Sequence, residues 1–129
     1  MEWLDSDPGT ETSFLILSSG MKDFSDFNDC LAIAQELLIM MNWMGRYQLV
    51  GFHPHHQFDA TDLEDAANYA NRSPHPMVHI LRESSVTQAV DAAEDIALIP
   101  KRNTDTLNQL GVEVLEKRWR DCCIEPHDE

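Results

Sequence analysis

Basic residues are scarce in this sequence, which has 9 lysines and arginines against 23 aspartates and glutamates and a formal net charge of −14. A surface of that sign repels the phosphates of nucleic acids and of anionic lipid head groups. We therefore expect no nucleic-acid partner and no membrane partner. Long apolar runs are also absent, because no stretch reaches the roughly 18 residues that a membrane-spanning helix needs.

Cysteine is scarce too, with Cys30, Cys122 and Cys123 as the three members. That number and spacing do not form a disulfide framework. The N-terminal MEWLDSDPGT also lacks the basic start and apolar core of a secretory signal. We expect a cytoplasmic protein in a reducing compartment. Cys30 lies on the apolar face of a predicted helix, so we expect it to be a small buried side chain without nucleophilic reactivity.

The length of 129 residues and the apolar content of 43% are typical of one folded domain with a single core. We predict one domain over residues 1–129, with its core at about residues 12–111. Residues 1–11 contain the turn signal Asp7-Pro8-Gly9 and are predicted to be a lead-in. Residues 121–129 are predicted to be a mobile tail.

The first half of the chain alternates between strand and helix patterns. Ser13–Leu17 is a short continuous apolar run, which predicts a strand covered on both faces. Steps of three and four between apolar residues predict a helix from about Asp23 to Met44, with Asp23 or Ser25 as its N-cap and Gly45 as its stop signal. The apolar positions are Phe24, Phe27, Leu31, Ala34, Leu37, Leu38 and Met41.

Tyr47–His53 then predicts a second strand, so the order is strand, helix, strand. Such a unit predicts two parallel strands with a right-handed crossover. The fold class is therefore predicted to be α/β in the broad, α+β sense: a small mixed sheet with helices packed on one face. Ligands of such sheets bind beyond the carboxyl ends of strands, where His53 lies.

The second half continues with one strand and several helices. The predicted elements are a short helix at Asp62–Tyr69, a strand at Met77–Leu81, a helix from Ser84 or Ser85 to about Ala93, a helix at Pro100–Leu110 ended by Gly111, and another turn or two at Val112–Trp119.

A polar loop between the second and third strands is the candidate site, because the segment from Phe52 to Glu83 holds five of the six histidines. In one interpretation this loop forms a pocket for a small phosphorylated or carboxylated metabolite. Guanidinium groups bind such anions through paired hydrogen bonds, and imidazole supplies acid–base catalysis near neutral pH. The candidate catalytic residues are His53 and His79, and the candidate ligand contacts are Asn68, Asn71, Arg72, Arg82 and Glu83.

Two alternatives stay open. His53, His55 and His56 are weak candidates for a hydrolase-like metal site that His79 and a carboxylate would complete, although Pro54 bends the run and the spacing matches no recognised ligand motif. In the other alternative the same polar residues pin the loop to its own backbone, and the protein is an interaction module or assembly subunit without catalysis. The sequence contains no G-x-S-x-G elbow, P-loop or G-x-G-x-x-G motif, and it indicates no particular cofactor.

Three segments of this chain resemble the DUF1415 family of uncharacterised proteins over roughly residues 13–111. They are VGFHPHHQF, DAANYANRSPHPMVHILRESSV and the Arg102-Asn103 pair that precedes Thr106-Leu107. The resemblance implies an α/β domain with a ferredoxin-like arrangement and implies no established activity. The matching positions are His53, Pro54, Phe58, Asn68, Asn71, Arg72, Ser73, Pro74, Pro76, His79, Leu81, Arg82, Glu83 and Asn103.

The sequence departs from the family pattern at His56, where the resemblance implies tyrosine, and at its start. Family members begin with a helix carrying a Cys-Pro motif, then a strand and a second helix, so this chain is expected to start near the end of that second helix. A role of the family's N-terminal cysteine cannot be carried over. The resemblance then predicts an open sheet edge, and such an edge tends to recruit another chain, here in a homo-oligomer.

Overall fold

The computed structural model describes Gly9 and residues 12–43, 45–93 and 95–123. Its strands are β1 (Thr12–Ile16), β2 (Tyr47–Phe52) and β3 (Met77–Arg82). Its α-helices are α1 (Phe24–Met40), α2 (Glu83–Ala92), α3 (Ile99–Leu110) and α4 (Val112–Cys122). A 3₁₀ helix, η1 (Ala66–Asn71), lies between β2 and β3, and a second short one covers Ile96–Leu98.

The three strands form one sheet in the order β1-β3-β2, and both pairs are antiparallel. Strands β1 and β2 therefore run in the same direction, as the strand–helix–strand pattern predicts, but β3 lies between them. This is a split β–α–β unit. The predicted α+β fold class is confirmed, but the described sheet is antiparallel and not mixed, because β3 lies between the two parallel strands. Within the described part of the chain, no helix has the length and apolar character needed to cross a membrane.

Helix α1 has clear start and stop signals. The Asp23 carboxylate accepts the Asp26 backbone N–H at 3.1 Å, which confirms Asp23 as the N-cap. At the other end Asn42 adopts a positive φ of 59°, and the Trp43 N–H bonds to the Leu38 carbonyl at 2.9 Å. This is a Schellman motif with Asn42 at its left-handed position, so the helix ends at Met40, before the predicted stop at Gly45.

Helix α1 packs closely on β2. A Cβ placed on Gly51 would lie 2.8 Å from Leu31 Cδ2 and 3.0 Å from Phe27 Cε1, so the helix rests on bare backbone at that point. Phe27 and Leu38 of the helix are buried, as is Tyr47 at the start of β2. The face of β2 that carries Gly51 therefore faces α1.

Strand β1 is exposed, so the prediction of a strand covered on both faces is wrong. Phe14, Leu15 and Ile16 are 49%, 55% and 55% exposed. Leu15 shares its sheet face with Gly51, and because α1 sits over β2 it leaves that face of β1 partly uncovered, whereas Phe14 and Ile16 lie on the opposite face. The prediction of a buried Cys30 is wrong for the same reason, since its side of α1 faces the uncovered strand and the residue is exposed.

The C-terminal helices pack on η1 and the loop around it. The Trp119 indole Nε1 donates to the Ser73 carbonyl at 3.0 Å, and Leu115 is buried. Helix α4 runs to Cys122, so the first two residues of the predicted tail are helical, and the mobility of that tail stays a prediction. Residues 124–129 and the predicted lead-in, apart from Gly9, lie outside the described residues.

Candidate functional site

His53 is fully buried, and backbone groups occupy both of its ring nitrogens. Nε2 lies 2.9 Å from the Met21 carbonyl oxygen, and Nδ1 accepts the His55 backbone N–H at 3.0 Å. These two bonds require the neutral ring with its proton on Nε2. The ring also packs against Phe24 and Phe27 of α1. In this arrangement His53 joins the end of β2 to the start of α1.

Asn68 is also fully buried, and its amide is engaged on both sides inside the loop. Its Oδ1 accepts the Phe58 N–H at 2.8 Å and the Thr61 hydroxyl at 3.2 Å, while its Nδ2 donates to the Asp62 carbonyl at 2.9 Å. The loop between β2 and η1 has little regular structure, so its backbone groups need side-chain partners. Asn68 bonds to three groups of this loop, which commits the amide to the loop.

Arg72 and Asn71 tie the same loop to the sheet. The Arg72 guanidinium donates to the His56 carbonyl at 3.1 Å and to the Leu63 carbonyl at 2.7 Å. Asn71 Nδ2 donates to the Gly51 carbonyl at 3.2 Å. The Arg72 guanidinium, which is predicted to bind an anion, therefore already donates two of its N–H groups to backbone carbonyls.

The structure does not bring all of the predicted site residues together. His79 pairs with Val50 and Phe14, so it lies on the sheet face opposite to the face that carries His53. Its Nε2 contacts the Thr12 hydroxyl, and its ring stacks on Phe14 with centroids 4.1 Å apart. Their predicted catalytic roles remain predictions, but the two histidines do not form an acid–base pair.

Arg82 and Glu83 lie at the other end of the sheet. Arg82 pairs with Tyr47 at the start of β2, whereas Arg72 lies beside the loop that follows the end of β2. Six residues of strand, or about 17–20 Å, separate those two ends. Arg82 lies over the Tyr47 ring, and the Glu83 backbone N–H donates to the Arg46 carbonyl at 2.8 Å. The two predicted guanidinium contacts therefore do not line one pocket.

His55 and His56 diverge beyond His53. His55 is exposed, whereas the His56 ring lies against Phe24 and Phe58, and its buried Nε2 has no hydrogen-bond partner within the described part of the protein. Among the residues that the structure describes, no group of three or more histidine, cysteine or acidic side chains is arranged to hold a metal ion. The metal interpretation has no geometric support in this region.

The pKa of His56 is lowered from its ordinary value of 6.5 by burial, then by the charge of Arg72 and by His53. The unfolded chain therefore binds a proton at a higher pH than the folded protein does, and stability should fall as the pH is lowered through 6.5 towards the folded-state pKa. We expect His56→Phe to reduce this slope and to leave stability at pH 8 nearly unchanged or higher. Urea denaturation midpoints between pH 8 and pH 5 measure the effect, and parallel pH profiles would contradict it.

A cleft that has no counterpart among the sequence predictions lies between η1 and α3. Its volume is about 550 Å³. Polar groups on its wall come from Asn71, Asn103, Thr104 and Asn108, beside apolar residues that include Leu107. Within the described part of the chain, the side chains of Asn103, Thr104 and Asn108 make no hydrogen bond to protein, and neither does Asn71 Oδ1.

This cleft joins two motifs that are distant in the sequence. Asn71 belongs to the Asn-Arg-Ser-Pro segment, and Asn103 belongs to the Arg102-Asn103 pair. The sequence gives one signal for the cleft. Both motifs contain an asparagine, and each asparagine lies in or next to a predicted helix. Nothing in the local pattern indicates that α3 packs against η1, so the pairing does not follow from the sequence.

The sequence model of DUF1415, described as a protein family of unknown function, matches residues 1–117 of the 129-residue chain. The match extends beyond the region of roughly 13–111 that carries the recognisable motifs, and it includes both motifs that meet at the cleft. No curated protein and no solved structure matches the chain. By the extent of this match, the chain belongs to the DUF1415 family.

Proposed function

We propose that this protein binds a small, neutral, hydrogen-bonding molecule in the cleft between η1 and α3. One observation carries the proposal: the amides of Asn71, Asn103 and Asn108 line one concave space while part of their hydrogen-bonding capacity is unused within the described protein. A volume of about 550 Å³ suits a metabolite-sized ligand. Amides present both donors and acceptors, which fits a ligand rich in hydroxyl or amide groups.

The wall of the cleft favours a neutral ligand over the anion that the sequence suggests. Among the described residues that line the cleft, Asp65 is the one with a charged side chain. Its carboxylate accepts the Ala67 N–H at 3.0 Å and caps η1. That carboxylate and the net charge of −14 both repel phosphates and carboxylates. The guanidinium of Arg72 donates to backbone carbonyls of residues outside the cleft lining.

The same lining supports binding without catalysis. Its described residues include no histidine or cysteine, and Asp65 is committed as a helix cap. General acid–base chemistry needs a titratable group within reach of the reacting atom. We therefore place the protein among binding domains, and its free cysteines support a reducing, cytoplasmic setting.

We expect neutral sugars or nucleosides to raise the melting temperature of the protein more than their phosphate esters do. A ligand at about 100 times its Kd adds roughly 2.7 kcal/mol of stability. A thermal-shift screen should use matched pairs, such as glucose with glucose 6-phosphate and adenosine with its monophosphate. Greater stabilisation by the phosphorylated member of each pair would contradict the proposal of a neutral ligand and would support the predicted anion pocket.

The residue-level test replaces Asn103 by alanine. Loss of one or two hydrogen bonds should weaken binding of a hit from that screen by about 3–30-fold, with little change in stability, because the amide makes no bond within the described protein. Gln109→Ala, on an exposed position of the same helix, is the matched control. Equal affinities of the two variants, measured by calorimetry, would remove the cleft as the binding site.

A second candidate, the interaction module, is favoured by a different observation. Strand β1 hydrogen-bonds to β3 on one side only within the described part of the chain, and its apolar side chains are about half exposed. Residues 12–17 carry no charge or proline, which are the usual devices that protect an edge strand. Homo-oligomerisation through this edge of the sheet remains a prediction.

A further inference from the structure

An apolar groove of about 530 Å³ lies between α1 and the strands β1 and β3. It is distinct from the η1–α3 cleft, with which it shares no described lining residue. Apolar side chains form most of its wall, and none of the described residues that line it is charged. Leu15, Cys30, Ala34, Val78 and Ile80 represent its three sides.

The groove exists because α1 is placed off-centre on the sheet. The close approach at Gly51 holds the helix over β2, which is an edge strand of the described sheet. Neighbouring strands are about 4.8 Å apart, so β1 at the other edge lies roughly 9.6 Å from β2. Packed helices lie about 8–10 Å apart. The space over β1 therefore has the width of one more helix beside α1.

The side of α1 that borders this space has the pattern of a helix-packing surface. Cys30, Ala34, Leu37 and Met41 follow one another at steps of four, three and four, and positions with those steps fall within about 60° on a helix. Small residues at 30 and 34 allow a close helix approach. Leu37 is 47% exposed and Met41 49% exposed, so this α1 stripe is uncovered by the described part of the chain.

We propose that the groove binds an amphipathic helix of a partner protein, with its apolar face on β1 and the α1 stripe and with a basic polar face. Helix-in-groove recognition uses apolar anchors at such spacings. The basic character follows from charge complementarity, because this chain carries a net charge of −14 and Asp26 lies about one turn before Cys30 on α1.

A second copy of the chain that extends the sheet in the same plane does not fill the same space. If two copies joined their sheets by pairing β1 with β1, five strand spacings, or about 24 Å, would separate the two α1 helices. The groove would stay empty on each side of the pair. Bringing the α1 stripes together at a packing distance of about 8–10 Å, with the two sheets still in one plane, would make those sheets overlap. Two chains of charge −14 also repel each other.

The direct test uses a fluorescein-labelled model helix of about 18 residues made of leucine and lysine in amphipathic order, long enough to follow α1. Fluorescence anisotropy should show micromolar binding, and a peptide of the same composition in scrambled order should bind roughly tenfold more weakly or worse. Leu37→Lys should weaken binding of the amphipathic peptide about tenfold or more. Leu37 is already half exposed, so this variant is expected to fold.

Ile39→Lys is the matched control. Ile39 is 59% exposed on the same helix but lies about 160° around it from Leu37, away from the groove. It introduces the same charge, so general electrostatic attraction changes equally in the two variants. Equal weakening by both, or by neither, would mean that the peptide adsorbs to the acidic surface at large and would overturn the proposal.

Cysteine alkylation gives a second readout that does not depend on substitutions. Bound peptide should slow the reaction of Cys30, which lines the groove, and leave Cys122 and Cys123 unchanged. Peptide mapping by mass spectrometry measures the three rates in one sample. Unprotected Cys30 at saturating peptide would overturn the assignment of the groove. A concentration-dependent dimer in sedimentation that Leu37→Lys dissociates would replace the partner helix by a second copy.

Discussion

Asn68→Ala should lower the free energy of unfolding by about 2–5 kcal/mol, since a buried group left without its partner costs about 1–3 kcal/mol and each further hydrogen bond lost costs about 0.5–1.5 kcal/mol. The substitution removes the partner of the Phe58 N–H and one of two partners of the Thr61 hydroxyl and of the Asp62 carbonyl. The hydroxyl keeps the Phe58 carbonyl at 2.6 Å, and the Asp62 carbonyl keeps the Asp65 N–H at 3.0 Å. Asn68 is fully buried, so water cannot replace the amide without opening the loop. Urea denaturation should show a lower midpoint with an unchanged m-value.

Asn103→Ala is the matched control, because it removes the same amide from a side chain that makes no hydrogen bond within the described protein. Its effect on unfolding should stay within about 0.5 kcal/mol. The pair thus separates an asparagine that builds the loop from one that is available to a ligand. A loss below about 1 kcal/mol for Asn68→Ala would contradict the tethering role.

The elements with strong local patterns could be predicted from the sequence. The steps of three and four in α1 and the alternation in β2 and β3 reflect burial of one face, and the observed strands β2 and β3 differ from the predicted ones by one residue at an end. The predicted end of α1 comes too late because glycine is the commonest left-handed residue, which favours Gly45 as the stop signal. In the structure Asn42 takes the left-handed position earlier in the chain.

Features that depend on distant contacts could not be predicted in this way. A continuous apolar run such as Phe14–Ile16 indicates a strand but does not tell whether anything covers it. The exposure of Leu15 follows from the lateral position of α1, which the missing side chain of Gly51 allows, whereas Phe14 and Ile16 lie on the opposite face of the sheet. The same offset exposes Cys30, although the helical periodicity places it on the apolar side of α1.

Residue types indicate which loop is rich in polar side chains, but the chemistry of that loop depends on partners that residue types do not reveal. An arginine with free donors binds anions, whereas Arg72 donates to two backbone carbonyls. Strand parity places His53 on the face with Gly51, and the register with Val50 places His79 on the other face. That register is a product of the whole fold, so the separation of the two histidines is visible only in the structure.

His53→Ala should destabilise the protein by about 3–4 kcal/mol and lower its melting temperature by roughly 10 °C. The substitution leaves a cavity against Phe24 and Phe27 and removes the ring partners of the Met21 carbonyl and the His55 N–H. The bond to Met21 joins the end of β2 to the segment that precedes α1, so its loss loosens the start of that helix. Differential scanning calorimetry measures the change.

His55→Ala, in the same cluster, is the control: the side chain is exposed, and its backbone N–H, which bonds to His53, is retained. It should change stability by less than about 0.5 kcal/mol. The comparison also tests the catalytic interpretation of His53, because groups kept for catalysis are commonly retained at a cost in stability. A His53→Ala variant as stable as His55→Ala would therefore argue for a functional histidine, whereas a large loss assigns the ring to the join between β2 and α1.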